Sequence, residues 1–351
     1  KGERRLVIVT SVKFPRLRNL DPVAVRDGNQ VLVALQDPTR TCQNLVVLTP
    51  AAFQIATLMD GQRDLQQLCA DFAQMSGQQA SPQAVADLID HLDRSLALDS
   101  PTSREHLKKM QHRPAMLAGH GYPAAAEKLG PFLDDILSLH PLNHDVQNPL
   151  RGLLLPHIDL KRGDQSYACA WQETRARLDN FDTFVILGIS HAVSRQPFIL
   201  TRMHFETPLG LVESDQAFID ELQSGLDFDP YFDEFNHVGE HSVEFQAVWL
   251  RHLLKERPFK IVPVLCGSFH PCLLPEHQTP SPKMLPGVSS FLSSLRHCLA
   301  SRPKALVIAS VDFAHVGQRF GGPSLDEGQL ERLKSQDSET FSCALDRSED
   351  F

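Results

Sequence analysis

The stretch Arg151–Ser166, RGLLLPHIDLKRGDQS, decides how the chain is read. Leu153, Leu154 and Leu155 make a short apolar run that stops abruptly at Pro156, His157, Ile158 and Asp159. Strands of a parallel sheet are covered on both faces, so they read as unbroken apolar runs. Ligands in such folds sit just past the carboxyl ends of the strands. The pattern recurs twice. Phe184–Leu187 leads into Gly188-Ile189-Ser190-His191, and Ala305–Ala309 leads into Ser310-Val311-Asp312-Phe313-Ala314-His315. A fourth histidine, His241, stands at a helix start, Glu240-His241-Ser242. Together they predict one polar pocket at one edge of one sheet.

Working outward, apolar periodicity predicts helices over 125–139, 165–178, 214–224, 241–254 and 287–299. Strands are expected at 184–188, 260–265 and 305–309, with a less regular stretch before 212. This alternation predicts an α/β domain over 113–351: a mostly parallel central sheet with helices on both faces. His270 to Pro286 carries five prolines and reads as a surface loop, and two further helices are expected over 325–333 and 336–345.

Residues 1–100 have a different character. Asn29–Leu35 and Asn44–Leu48 read as strands, and Thr49-Pro50 is a cap followed by proline at the first helical position. The helix it opens breaks at Asp60-Gly61; a second runs from Asp64 to Met75 and stops at Gly77. Ser81-Pro82 starts a third, with Val85, Leu88, Ile89 and Leu92 as its stripe, before a closing strand at 96–98. These elements predict a small winged-helix-like α+β domain. The polar stretch 101–112 reads as the linker.

At 351 residues, two domains are expected. A formal charge of -9 with no basic block argues against nucleic acid or an anionic membrane as partner. No run of 18 apolar residues exists to make a transmembrane helix. The opening KGERRLVIVTSVKFP lacks a long apolar core and a cleavage site, so it reads as a strand rather than a signal peptide. Beginning at Lys1, the chain is expected to lack its natural start. Seven scattered cysteines without a CxxC point to a reducing, cytoplasmic setting rather than a disulfide scaffold or zinc knuckle. A homo-oligomer is left open.

Imidazole suits iron, zinc and copper, and a strand tip leaves only two side-chain torsions to place the ring. His157, His191, His241 and His315 are therefore the candidate residues of a divalent-metal site (iron, zinc or copper), His157, His191 and His315 as strand-tip ligands and His241 as either a catalytic base or a further ligand. Asp159 and Asp312 are placed to orient rings from behind, and Glu240 and Glu244 flank His241. A helix N-terminus disfavours the cationic form of His241. His204, His237 and His270 lack comparable context, and Cys266 reads as a buried thiol.

Two resemblances add to this. The order PRLRNL, strand pair, LTPAAFQIATLMDGQRDLQQLCADF and capped helix resembles the PqqD-like peptide-recognition domains, implying a peptide or protein partner. Further on, RPAMLAGHGYP, LLLPHIDLKRGDQSYACAW, VILGISHAV, FETPLGLVESD, EHSVEFQAVWL, IVPVLCGSF and ASVDFAHVGQRF run in order across 113–320. They resemble the MEMO family, known in bacteria and archaea as protein B of the AmmeMemoRadiSam system. That family shares its fold with class III extradiol dioxygenases, which are non-haem iron enzymes. The resemblance implies His157 and His191 as metal ligands and His241 as the acid–base histidine. The third ligand position falls at Ala314, which cannot ligate, leaving His315, Asp312 or His241 to complete a set. It further implies metal-dependent redox or dioxygenase-like chemistry, or a non-enzymatic binding module acting with AMMECR-like and radical SAM partners. Against that family the C-terminus reads as shortened.

Overall fold

The computed structural model describes residues 10–42, 44–141, 149–269 and 284–345. The strand expected at the very start and most of the proline-rich loop from His270 lie outside them.

The N-terminal part is built from β1 (Asp21–Asp27), β2 (Gln30–Gln36), β3 (Val46–Leu48), α1 (Pro50–Thr57), α2 (Leu65–Ser76) and α3 (Pro82–Arg94). The three strands form an antiparallel sheet in the order β1-β2-β3. Caps act where the sequence places them. Thr49 Oγ1 accepts from Ala52 N at 3.2 Å, Ser81 Oγ accepts from Ala84 N at 3.2 Å, and Asp64 forms a capping box with Gln67. Leu68, Phe72, Val85, Ile89 and Leu92 fill the core beneath. β1 was not anticipated, and the strand expected at 96–98 is reduced to a single bridge between Leu17 and Leu98.

The stretch 101–112 does not hang free. Ser100-Pro101 repeats the cap-plus-proline signal, and α4 (Pro101–Lys109) follows, with Leu107 buried against Met203 and Val238.

The larger part then runs β4 (His112–Arg113), α5 (Ala126–Leu137), β5 (Gly152–Leu155), α6 (Asp164–Thr174), β6 (Thr183–Ile189) and β7 (Phe198–Leu200). It continues with β8 (His204–Thr207), β9 (Gly210–Ser214), α7 (Gln216–Ser224), the single turn α8 (Asn236–Gly239) and α9 (Ser242–Leu254). β10 (Lys260–Cys266), α10 (Val288–Ala300), β11 (Ala305–Ser310) and α11 (Glu327–Leu345) complete it. No glycine, proline or other breaker stands between 333 and 336, so the two terminal helices expected there form one.

The sheet order is β4-β8-β9-β10-β6-β11-β5, with β7 antiparallel on β10. β5, β11, β6 and β10 are mutually parallel, so their carboxyl ends share one edge. Alternate residues face opposite layers. Phe184 and Ile186 pack with Trp171 and Trp249 beneath α6 and α9, while Val185 packs with Phe218 and Phe291 beneath α7 and α10. No described helix is long and apolar enough to cross a membrane.

Gly188 sets how closely α9 approaches β6. A Cβ there would meet Ser242 Oγ at 2.5 Å and Val243 Cγ2 at 2.9 Å. Gly188→Ala is therefore expected to destabilise by about 1–3 kcal/mol through overpacking, read as a lowered urea midpoint at unchanged slope.

Candidate metal centre

Ser242 and Gln246 in the first turns of α9, with Ser310 at the end of β11 and Glu240 two residues before the helix, lace the strand tips together. Ser242 Oγ accepts from Ile189 N at 3.0 Å at the end of β6. Gln246 Nε2 donates to Pro156 O at 2.8 Å, just past β5, and to Ser310 Oγ at 2.9 Å, at the end of β11. Ser310 Oγ in turn donates to Ser242 O at 2.6 Å. Glu240 completes the set. Its carboxylate accepts from His241 N at 2.7 Å, Ser242 N at 3.0 Å and His191 N at 3.0 Å.

These ties bring His157, His191 and His241 together. One ring nitrogen from each lies within 4.8 Å of the others. The ring centroids of His191 and His241 stack at 4.6 Å, and His157 stands edge-on at 5.3 and 5.4 Å. The rings of His157 and His191 are hydrogen-bonded through Nδ1, and that of His241 has its Nδ1 beside a carboxylate. His157 Nδ1 sits 3.1 Å from Ser310 O, and a carbonyl can only accept, so Nδ1 carries the proton and Nε2 is bare. His191 Nδ1 is 3.0 Å from Glu240 Oε2, and His241 Nδ1 is 3.2 Å from Glu240 Oε1. An outer carboxylate or carbonyl on one ring nitrogen, with the other left free, is how metal-binding histidines are oriented.

The charges follow. Burial lowers the pKa of His157 and of His241, outweighing Asp312 and Glu240 respectively, so both favour the neutral form. His191 is pushed up by its hydrogen bond to Glu240. Burial works against the Glu240 carboxylate, but the bonds from His191 prevail and hold it at about 2. Bare Nε2 of His157 faces Asp312 Oδ2 at 3.4 Å. Two lone-pair carriers at that distance call for a positive charge between or beside them. The donors present thus fit a divalent metal.

The other expected residues fall elsewhere. His315 is half-exposed and stands outside the three-histidine set, with Nε2 3.4 Å from Asp312 Oδ2 and its ring against Phe320. Asp312 does support His157, accepting from its backbone N at 3.2 Å. Asp159 instead caps its own turn, accepting from Lys161 N and Arg162 N. Glu244 turns away from the cleft into a buried pair with Arg113 at 2.6 Å. His237 is fully buried, bonded to Ile199 O, and held at about 4 by burial. His204 accepts from Ser214 N, and burial pushes the Cys266 thiol up to about 12. His270 lies outside the described residues. The positioning residues Ser242, Gln246, Ser310 and Arg113 were not foreseen; only the polar positions within EHSVEFQ, on an otherwise buried helix, hinted at the first two.

Fold and site together define an α/β protein with a three-histidine centre at the carboxyl edge of a parallel sheet. Residues 113–349 match the family described as Memo-like protein, and the chain belongs to it. A MEMO1 family protein of Aquifex aeolicus (strain VF5) is 28% identical over 300 residues, covering 82% of this chain and 73% of that protein. One from Methanocaldococcus jannaschii is 30% identical over 210 residues, 57% of this chain and 68% of that protein. The protein memo-1 homolog of Caenorhabditis elegans is 28% identical over 173 residues, 48% of this chain and 44% of that protein.

The geometry makes Glu240 the cause of the raised His191 value. Glu240→Gln is expected to drop the His191 pKa below its wild-type position while leaving His157 low, followed by imidazole NMR titration.

Proposed function

We propose that the cleft holds one divalent metal, iron, zinc or copper, through Nε2 of His157, His191 and His241, and that it carries out metal-dependent redox or dioxygenase-like chemistry on a small substrate. The observation that carries this reading is the convergence of one nitrogen from each of the three rings to within 4.8 Å, with Nδ1 of His157 and His191 hydrogen-bonded from behind. Three histidines on one side leave positions on the other for a substrate, the arrangement of a catalytic rather than a structural site. A metal bound there supplies a Lewis acid and, as iron or copper, a one-electron redox centre. The chain supplies the rest. Glu240 fixes the tautomer and direction of His191 and His241, and Asp312, beside the bare face of His157, is placed to take or hold a proton from substrate. His241 thereby occupies the ligand role that Ala314 cannot fill, in place of the separate acid–base role expected for it. His315, behind Asp312, is assigned no ligand role.

A second reading concerns partners. The edge strand β3 is flanked by exposed apolar side chains, Leu45 and Val47. An edge with no strand partner among the described residues and with exposed apolar side chains suits capture of an extended peptide by strand addition. This supports a peptide partner for the N-terminal part, alongside or instead of catalysis, with AMMECR-like and radical SAM proteins as the candidates the family suggests.

Metal analysis tests the first reading. Wild type prepared reduced and free of chelator should take up close to one equivalent of a first-row divalent metal. His157→Ala, His191→Ala and His241→Ala should each abolish uptake, and Glu240→Gln should weaken it about 10–100-fold. His315→Ala should leave it unchanged. A wild type that binds none of iron, zinc, copper or manganese would reject the metal site.

A further inference from the structure

The histidine cleft does not end at the large sheet. His191, Glu240 and His241 line a cavity of about 340 Å³ whose opposite wall is N-terminal: the segment Arg16–Asn19 with Asp21, and the loop Pro38-Thr39. Ligand pockets run from about 300 to 1,000 Å³, so this space fits a small molecule rather than a folded partner.

That wall is keyed to the site rather than resting near it. The Arg18 guanidinium lies 3.9 Å over the ring of Phe235, and Arg16 pairs with Asp233 at 3.6 Å. Gly239, beside Glu240, lets the chain pass close: a Cβ there would meet Pro38 O at 3.4 Å. Asp37 ties the loop from behind, accepting from Thr39 N at 2.9 Å, Thr41 N at 2.9 Å and Cys42 N at 2.8 Å.

The wall's own charges decide what it can accept. Both arginines are already committed, Arg16 to Asp99 and Asp233, Arg18 to Asp37 and Leu96 O. They offer no free positive charge to an anion. The amides of Asn19 and Asn236 donate to Val193 O, and among the described residues their carbonyl oxygens accept no hydrogen bond. Among the described residues the Asp21 carboxylate has no side-chain partner. Free acceptors and one unpaired carboxylate therefore share the lining of a cavity whose other side carries His191 and His241.

We propose that this interdomain cavity is the substrate pocket of the metal centre, and that its ligand is a small molecule with a metal-binding oxygen at one end and an ammonium group at the other. The metal end is met by the three histidines, the ammonium end by Asp21, Asn19 and Asn236. The inference rests on the metal reading above, and its test separates the two. Full-length protein is loaded with Co(II), and the cobalt spectrum is followed on adding short alkyl hydroxamates that end in an ammonium or a carboxylate. The ammonium-tailed probe should bind about threefold to fivefold more tightly, as expected for one exposed ion pair. Asp21→Asn combined with Asn19→Ala should remove that preference while leaving Co(II) affinity unchanged. Failure to take up Co(II), seen before any probe is added, overturns the metal reading and this inference with it. Uptake followed by equal binding of both probes, or by no spectral response to either, overturns the pocket assignment alone.

Discussion

The site depends on one buried guanidinium. Arg113 is fully enclosed, and its bonds end on or beside the segment that opens α9. Nε donates to His237 O at 2.8 Å, Nη2 to Glu240 O at 2.5 Å, and Nη1 meets Glu244 Oε2 at 2.6 Å. Glu244 also accepts from Leu117 N and from the Tyr122 hydroxyl. The segment RPAMLAGHGYP is thereby bound into the helix start at three points. Burying a charge costs several kcal/mol, and removing one partner of such a pair costs about 3–5 kcal/mol. Here that expense fixes the backbone on both sides of Glu240, and the direction of Glu240 fixes two of the three histidines.

Glu240 then serves two structures with one carboxylate. It accepts from the N–H groups of His241 and Ser242, where the α9 dipole favours a negative charge. It also reaches across to the backbone and ring of His191, on a different strand. A glutamine would keep much of the shape but not the charge that holds His191 up. Helix start, β6 tip and imidazole orientation are therefore coupled, so the cleft is pre-shaped by the fold rather than assembled by its ligand.

How much of this was legible in the sequence follows from how far a strand carries its neighbours. His157 and His191 each lie two residues past the ends of β5 and β6, where the backbone direction is still fixed. His315 lies five residues past the end of β11, beyond that control, and it misses the cluster. In sequence the three looked alike. The Ser310 side chain and carbonyl, rather than any histidine, are what β11 contributes. The helix within the 101–112 linker was not anticipated, because its charge outweighed the Ser100-Pro101 cap signal already recognised at Thr49 and Ser81. β1 escaped because its seven residues are almost all exposed, and β4 and β8 because two and four residues are too few to show a run or an alternation. The N-terminal wall of the cavity could not be read at all, since contacts between Arg18 and Phe235 join residues with no local pattern in common.

The loss of a ligating side chain at Ala314 changes more than a count. A set of two histidines and a carboxylate delivers one negative charge to a divalent ion, whereas three neutral imidazoles deliver none. With His241 as third ligand, as proposed above, the compensating charges would lie outside the set: Asp312, 3.4 Å from Nε2 of His157, and Glu240, behind the rings of His191 and His241. An ion held by three neutral imidazoles would keep more of its charge at its open side than one with a carboxylate ligand, which would favour binding and polarising an oxygen donor there. The same shift draws the third ligand from a helix start rather than from the loop after β11. Because α9 is laced to three strand tips and anchored by Arg113, that ligand is held at least as firmly as one on the loop would be. On the proposed reading, the exchange would keep a rigid three-point site while altering its charge, which points to a changed reaction more readily than to a lost one.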